Sequence, residues 1–263
     1  MRLDLYLFEN GLTDSRTEAK KLILAGAVSV DGRIVTKSSY DVVGNAVTVD
    51  NTEKRFVSRG GYKLLAALTE FRIDVTGALA LDVGASSGGF TDCLLQGGAK
   101  RVIAVDAGSG QLAESLRRDE RVTVIENYNA RYMRPDDFEY TPTIAVMDVS
   151  FISATYIIPS IYECLAPTGN FICLIKPQFE VGRSGVGKGG IVKDEKIRRE
   201  AVNKVVSFAE SIGFENKAVT VSPITGGDGN VEFLAHFVKP SHSTLKEKCD
   251  DEADIDNSKS TEG

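Results

Sequence analysis

The chain has 263 residues, 42% of them apolar, and a net charge of −6, enough for one α/β domain of ordinary size plus a smaller one. Asp4 and Glu9 interrupt the apolar stretch near the N-terminus, and no run approaches the roughly 18 apolar residues of a membrane span, so a cytoplasmic protein is expected. Cys93, Cys164, Cys173 and Cys249 show no C-x-x-C spacing and only two histidines are present, which argues against a metal site and for reduced thiols.

Spread evenly, the acidity would argue against a nucleic-acid partner. It is not spread evenly: residues 1–63 carry 10 Lys and Arg against 8 Asp and Glu, whereas residues 241–263 carry 3 against 7. Arg2 to Glu9 places Leu3 and Leu7 one helical turn apart, and Ser15-Arg16-Thr17-Glu18 reads as a capping box that starts a second helix. Ala19, Leu22 and Ile23 form its apolar face, Arg16 and Lys20 lie four apart on another, and Gly26 supplies the left-handed end. Alternating apolar residues then flank the hairpin turn Asp31-Gly32, and another strand follows at 46–49.

Basic residues on an isolated helix are commonly no more than a solvated face. The run Arg2-Leu3-Asp4, Ser15-Arg16-Thr17, Ala19-Lys20-Lys21, Gly26 and Val30-Asp31-Gly32 nevertheless resembles the α-L RNA-binding domain named after the fourth small-subunit ribosomal protein. The resemblance implies a grip on structured RNA by shape and phosphate contacts, with Arg2, Arg16, Lys20 and Lys21 as candidates. This domain is expected over residues 1–54, followed by a linker at 55–61 that carries Arg59 and ends in Gly60-Gly61. Phe56 and Val57 are too apolar for a free tether and are expected to dock on one domain. Helical spacing resumes at Tyr62, with Leu64, Leu65 and Leu68 inward.

The catalytic half is expected over residues 62–240. Its strands are predicted at 79–83, 102–105, 122–125, 143–147, 170–175, 217–222 and 231–238, and its helices near 89–96, 111–118, 153–165 and 194–212. That rhythm predicts a Rossmann-like doubly wound sheet whose last two strands form a hairpin, so that the final strand is antiparallel, as in methyltransferases. In Leu79-Ala80-Leu81-Asp82-Val83-Gly84-Ala85-Ser86-Ser87-Gly88-Gly89-Phe90 an apolar strand breaks into a glycine turn. The spacing of Gly84, Gly88 and Gly89 is not the G-x-G-x-x-G that wraps a pyrophosphate, which favours S-adenosylmethionine over a dinucleotide. Asp82, Gly84, Ser86, Gly88, Gly89 and Phe90 are the candidate cofactor contacts, against the plainer reading of a structural turn. Asp106 ends the second strand where an acid accepts ribose hydroxyls, or else caps the next helix. Asn129 follows the third strand where an adenine edge would be read, or else is an ordinary loop residue.

Asp148 and Lys176 end the fourth and fifth strands. Glu232 begins the antiparallel last one, and Lys63 opens the helix that leads back to the first. All four are expected at the sheet edge where open α/β proteins place their chemistry. Each alone could be a surface ion pair; a convergence of two lysines and two acids is hard to obtain by accident. Ser58-Arg59-Gly60-Gly61-Tyr62-Lys63-Leu64, Asp148-Val149-Ser150-Phe151, Ile175-Lys176-Pro177-Gln178-Phe179-Glu180 and Gly229-Asn230-Val231-Glu232-Phe233 resemble the TlyA family, also called haemolysin A.

That resemblance implies an FtsJ-type methyltransferase fused to an α-L domain. It implies transfer of methyl from S-adenosylmethionine to a cytidine ribose 2′-hydroxyl of ribosomal RNA, on ribosomes or their subunits, with the tetrad Lys63, Asp148, Lys176 and Glu232; Asp148 is also a candidate cofactor contact. The chemistry suits these types. A ribose hydroxyl is a poor nucleophile, and a lysine amine takes its proton once the amine's pKa is brought from about 10.4 towards 7 to 8. A neighbouring ammonium or the sulfonium favours that change and neighbouring carboxylates oppose it, so its sign stays open. Lys176 is the expected base, Asp148 and Glu232 its orienting acids, and Lys63 a positioning cation.

Gly182 to Gly189 matches G-x-x-x-x-G-K, but Gly189 stands where a P-loop has Ser or Thr and the loop follows the fifth strand, so a lid with Arg183 and Lys188 meeting phosphates is expected instead. Residues 241–263 form an acidic tail without periodicity, expected to be disordered. A lytic activity, as in the haemolysin name, is the alternative; no secretion signal or amphipathic membrane segment supports it. A third reading is an RNA-binding module that merely senses a ligand. The sequence leaves the modified nucleotide and the oligomeric state open.

Overall fold

Two sheets organise the chain in the computed structural model, which describes residues 1–13, 15–24, 26–49, 56–182 and 185–241. The smaller is three-stranded and antiparallel, in the order β2-β1-β3, from β1 (Val28–Val30), β2 (Arg33–Ile34) and β3 (Val47–Val49). Helices α1 (Leu3–Glu9) and α2 (Arg16–Leu24) cover it around Leu3, Leu7, Ala19, Ile23, Val28 and Val30. Local chemistry sets its turns as the sequence suggests. The Glu18 amide donates to Ser15 Oγ at 3.1 Å. Asp31 and Gly32 both take positive φ, 49° and 75°, as a two-residue hairpin requires.

Phe56 is buried and meets Tyr62 edge-on, with ring centroids 5.1 Å apart. Gly60 and Gly61, expected to end a linker, are instead the first residues of α3 (Gly60–Glu70). The reason is steric: a Cβ at Gly61 would stand 2.4 Å from the Phe56 ring, so the glycine serves helix-to-ring contact rather than chain flexibility. Residue 55 of the expected linker, and residues 50–54 at the end of the expected small domain, lie outside the described residues, as do residues 242–263 of the expected tail. The small domain touches the large one through Ile34, which packs on the core of the catalytic half, and through the neighbourhood of Gly26, Tyr62 and Ile224.

The larger sheet has seven strands in the order β6-β5-β4-β7-β8-β10-β9. Strands β4 (Leu79–Val83), β5 (Arg101–Val105), β6 (Val122–Ile125), β7 (Ile144–Met147) and β8 (Asn170–Ile175) are parallel, while β10 (Phe233–Val238) runs antiparallel to both β8 and β9 (Glu215–Val221). One face is covered by α3, α4 (Gly89–Gln96) and α5 (Glu114–Arg117), through Leu64, Ala67, Leu94 and Leu116. The other is covered by α6 (Ile158–Cys164) and α8 (Glu195–Ile212), through Ile158, Ile161, Val202 and Val205.

The helix expected over 111–118 shrinks to α5. That expected over 153–165 splits into a 3-10 turn at Ala154–Tyr156 and α6, because Pro159 in the first turn has no N–H to continue the preceding turn. A short helix α7 (Pro177–Glu180), unforeseen in the sequence, follows Lys176 directly.

Candidate active site

The glycine turn joins β4 to α4 by bringing three other segments very close. Gly84 takes φ 84°, and a Cβ there would lie 2.4 Å from the Asp148 carbonyl oxygen at the end of the neighbouring strand. Gly88, at φ 94°, would meet Leu116 at 2.3 Å, and Gly89 would meet Ser58 Oγ at the same distance. Only glycine permits these approaches. Ser86 holds a left-handed φ of 48° without that freedom, and its amide is fixed by a 2.8 Å hydrogen bond to Asp106 Oδ2. Asp106 Oδ1 accepts the Gly108 amide at 2.7 Å, so two backbone donors aim this carboxylate while leaving lone pairs for a hydroxyl donor.

Two expected cofactor contacts are placed otherwise. Asp82 is fully buried beneath the turn, where Thr91 Oγ1 donates to Oδ2 at 2.6 Å and Oδ1 has no partner. Burial pushes its carboxyl up to about 7, against the opposing Thr91 hydrogen bond. It does not reach the cleft, because the alternation of β4 turns its side chain into the layer between the sheet and α4. Asn129 spends its side-chain oxygen capping the 3-10 turn Ala130–Tyr132, accepting from the Arg131 amide at 3.1 Å.

A cleft of about 290 Å³ opens over this edge, lined among others by Gly84, Ser86, Gly89, Phe90, Lys63, Asp148 and Lys176. The four expected charges sort into two ion pairs. Lys63 Nζ lies 2.5 Å from Glu232 Oε2, and Lys176 Nζ lies 2.6 Å from Asp148 Oδ1. Ser150, which sequence reasoning passed over, accepts a further 2.8 Å hydrogen bond from Lys176 Nζ. Glu232 just precedes β10, and the antiparallel run of that strand puts it at the catalytic edge: Phe233 pairs with Ile175. Asn230 was also missed. It is buried, accepts from the Val192 amide at 3.0 Å and donates to the Gly190 carbonyl at 2.9 Å, tying the glycine-rich loop to the approach of Glu232.

Phe151 is 91% exposed, holds φ 63° and sets its ring 5.3 Å from that of Phe179. A bulky aromatic in the left-handed region, next to a lysine-binding serine, marks a constrained cleft rim.

The expected RNA contacts are scattered. Arg59 lines the cleft, and Lys20 and Lys188 are exposed. Arg2 and Arg16 are half-exposed and share one partner, the buried Asp4, at 2.9 and 3.0 Å. These guanidinium groups hold the Asp4 carboxyl down at about 2, the Arg2 hydrogen bond contributing most. Asp4 occupies the buried face of α1 beside Leu3 and Leu7. The Lys21 side chain and Arg183 lie outside the described residues.

A parallel sheet closed by an antiparallel strand, with a glycine turn, an aimed carboxylate and paired lysines at its edge, defines a methyltransferase of the S-adenosylmethionine-dependent class. The chain belongs to the FtsJ-like methyltransferases, which match residues 56–239, and within them to the TlyA group; an S4 domain matches residues 1–47. It is 42% identical to the 16S/23S rRNA (cytidine-2′-O)-methyltransferase TlyA of Mycobacterium tuberculosis, over 89% of this chain and 88% of that one. It is 45% identical to Hemolysin A of Brachyspira hyodysenteriae, over 90% of this chain and all of that one. A solved structure of a haemolysin-named protein from Streptococcus thermophilus superposes with a TM-score of 0.71 at 43% identity, covering 91% of this chain and 88% of that one.

Proposed function

We propose that this chain methylates the ribose 2′-hydroxyl of a cytidine in ribosomal RNA, acting on ribosomes or their subunits. One observation carries the chemistry: Lys176 Nζ is held between Asp148 Oδ1 and Ser150 Oγ in the cleft beside the glycine turn. Gly84, Ser86, Gly89 and Phe90 would hold S-adenosylmethionine, with Asp106 placed to accept a ribose hydroxyl, and the cofactor would supply an electrophilic methyl. At Gly84 any Cβ would strike the Asp148 carbonyl, so glycine there lets the turn after β4 pack directly on the segment that carries Asp148.

Lys176 is the group placed to take the hydroxyl proton as the oxygen attacks the methyl group. The ion pair with Asp148 and the hydrogen bond to Ser150 fix where the Lys176 nitrogen sits. Lys63, anchored by Glu232, places a positive charge at the same cleft and orients the ribose. Phe151 offers a free aromatic face beside Ser150, on which an unstacked base can lie. Arg2, Arg16, Lys20 and Lys21 on the small domain, Arg59 at the cleft, and Arg183 and Lys188, which follow α7 in the sequence, contact RNA phosphates in this reading. The acting site is then the ribosome-containing cytoplasm; among the described residues no helix is long and apolar enough to cross a membrane.

The test incubates purified ribosomal subunits with the protein and labelled S-adenosylmethionine and maps the modified position. A single 2′-O-methylcytidine that disappears with Lys176→Ala is expected; labelling of a base atom, or none, refutes the reading.

A further inference from the structure

Two loops carry the groups around the proposed base. One runs from Asp148 through Ser150 to the 3-10 turn at Ala154, and the other is Lys176 with α7. Beyond the Asp148 amide, which donates to the Val83 carbonyl of β4 at 3.0 Å, neither is held by strand pairing, since β7 ends at Met147 and β8 at Ile175. What joins them is Glu180, a buried acid outside the lining of the catalytic cleft. Its Oε2 accepts from Ser153 Oγ at 2.5 Å and its Oε1 from the Ala154 amide at 2.7 Å. Lys204 of α8 anchors the same residue, donating to the Glu180 carbonyl at 2.9 Å and lying 3.4 Å from Oε2. On the outer side the Phe151 and Phe179 rings make a second connection between the same loops.

We infer that Glu180 is a positioning residue: through Ser153 and Ala154 it clamps the Asp148–Ser150 loop against the helix that begins at Lys176, and so sets where the Lys176 amine points. This rests on Lys176 being the proton acceptor. The lever is short and stiff. Pro177 in the first turn of α7 restricts the backbone directly after Lys176, and Glu180 follows within the one turn that remains. A carboxylate suits the task because it accepts from a hydroxyl, an amide and an ammonium at once, and a buried acid with three donors stays fixed.

The experiment compares Glu180→Ala, Glu180→Gln, Ser153→Ala and Lys176→Ala in methylation of ribosomal subunits, with S-adenosylmethionine binding measured by calorimetry. For Glu180→Ala the expected result is a fall in kcat of about tenfold to a hundredfold, the range a displacement near 1 Å produces, with KM for RNA and cofactor affinity within about twofold. Glu180→Gln, which still accepts the Ala154 amide, should recover part of the loss. Ser153→Ala, which leaves the acid and its other partners in place, should lower kcat in the same direction and less than additively with Glu180→Ala. Wild-type kcat in both single variants, with Lys176→Ala inactive, overturns the inference alone. A loss in Glu180→Ala that tracks lost cofactor-binding stoichiometry, with Ser153→Ala unaffected, makes Glu180 merely structural and also overturns it. Full activity of Lys176→Ala removes the underlying reading and the inference together.

Discussion

Lys63 Nζ and Glu232 Oε2 stand 2.5 Å apart although 169 residues separate them in the chain. Both side chains are buried, and the pair joins α3 to the approach of β10 beside the cleft. Removing one member leaves the other charged and unpaired away from water. Glu232→Ala is expected to cost about 3–5 kcal/mol in urea denaturation, whereas Lys63→Met combined with Glu232→Leu should cost much less. Both should lack methyl transfer.

Gly84→Ala combines a forced left-handed φ with a clash at the Asp148 carbonyl. Gly110→Ala, at φ 70° with nothing within 4 Å, carries the strain alone. The control should lose about 1–2 kcal/mol of stability and keep cofactor affinity. Gly84→Ala should lose more and bind S-adenosylmethionine weakly by calorimetry; equal behaviour of the two would deny the close approach any role.

Asp82 makes a pH-dependent contribution of unusual sign. Its carboxyl is pushed from 3.8 up to about 7 by burial, so the fold holds a proton that the unfolded chain releases above pH 3.8. Stability from this group therefore falls as pH rises from about 4 to 7, by an amount on the order of 4 kcal/mol, and is flat beyond. Asp82→Asn can keep the Thr91 hydrogen bond and should gain on the wild type when urea midpoints at pH 8 are set against those at pH 4.5.

Asp4 behaves in the opposite sense. With its carboxyl held at about 2 by Arg2 and then Arg16, its stabilisation is full above pH 3.8 and is lost as pH falls towards 2. Asp4→Asn should loosen α1 and α2, seen as faster amide exchange in the small domain at pH 6.

Phe151→Ala removes an exposed ring that supports little of the core. If a base stacks there, kcat/KM for RNA falls by about 1–3 kcal/mol in activation free energy while cofactor affinity and melting temperature hold. An unchanged kcat/KM would exclude stacking.

The sheet was legible because its strands are bounded by chemistry that acts locally. The run Leu79 to Val83 ends at a glycine, and the hairpin at Asp31-Gly32 needs two residues tolerant of positive φ. The edge positions of Lys63, Asp148, Lys176 and Glu232 followed from strand direction alone. Their partnership did not, since which lysine meets which acid depends on contacts across the sheet. Ser150, Glu180 and Asn230 were missed for the same reason: each is an ordinary loop polar residue until folding buries it or sets it beside a charge. Arg2 and Arg16 looked like a free basic face because an acid two residues from one and twelve from the other gives no local sign of binding both.

The antiparallel last strand also governs how the molecule can be handled. It starts beside Ile175 at the catalytic edge and finishes beside Asn170, five residues and about 17 Å away. A fluorophore or surface tether attached directly after Ser241 therefore sets out from the side of the sheet remote from the cleft.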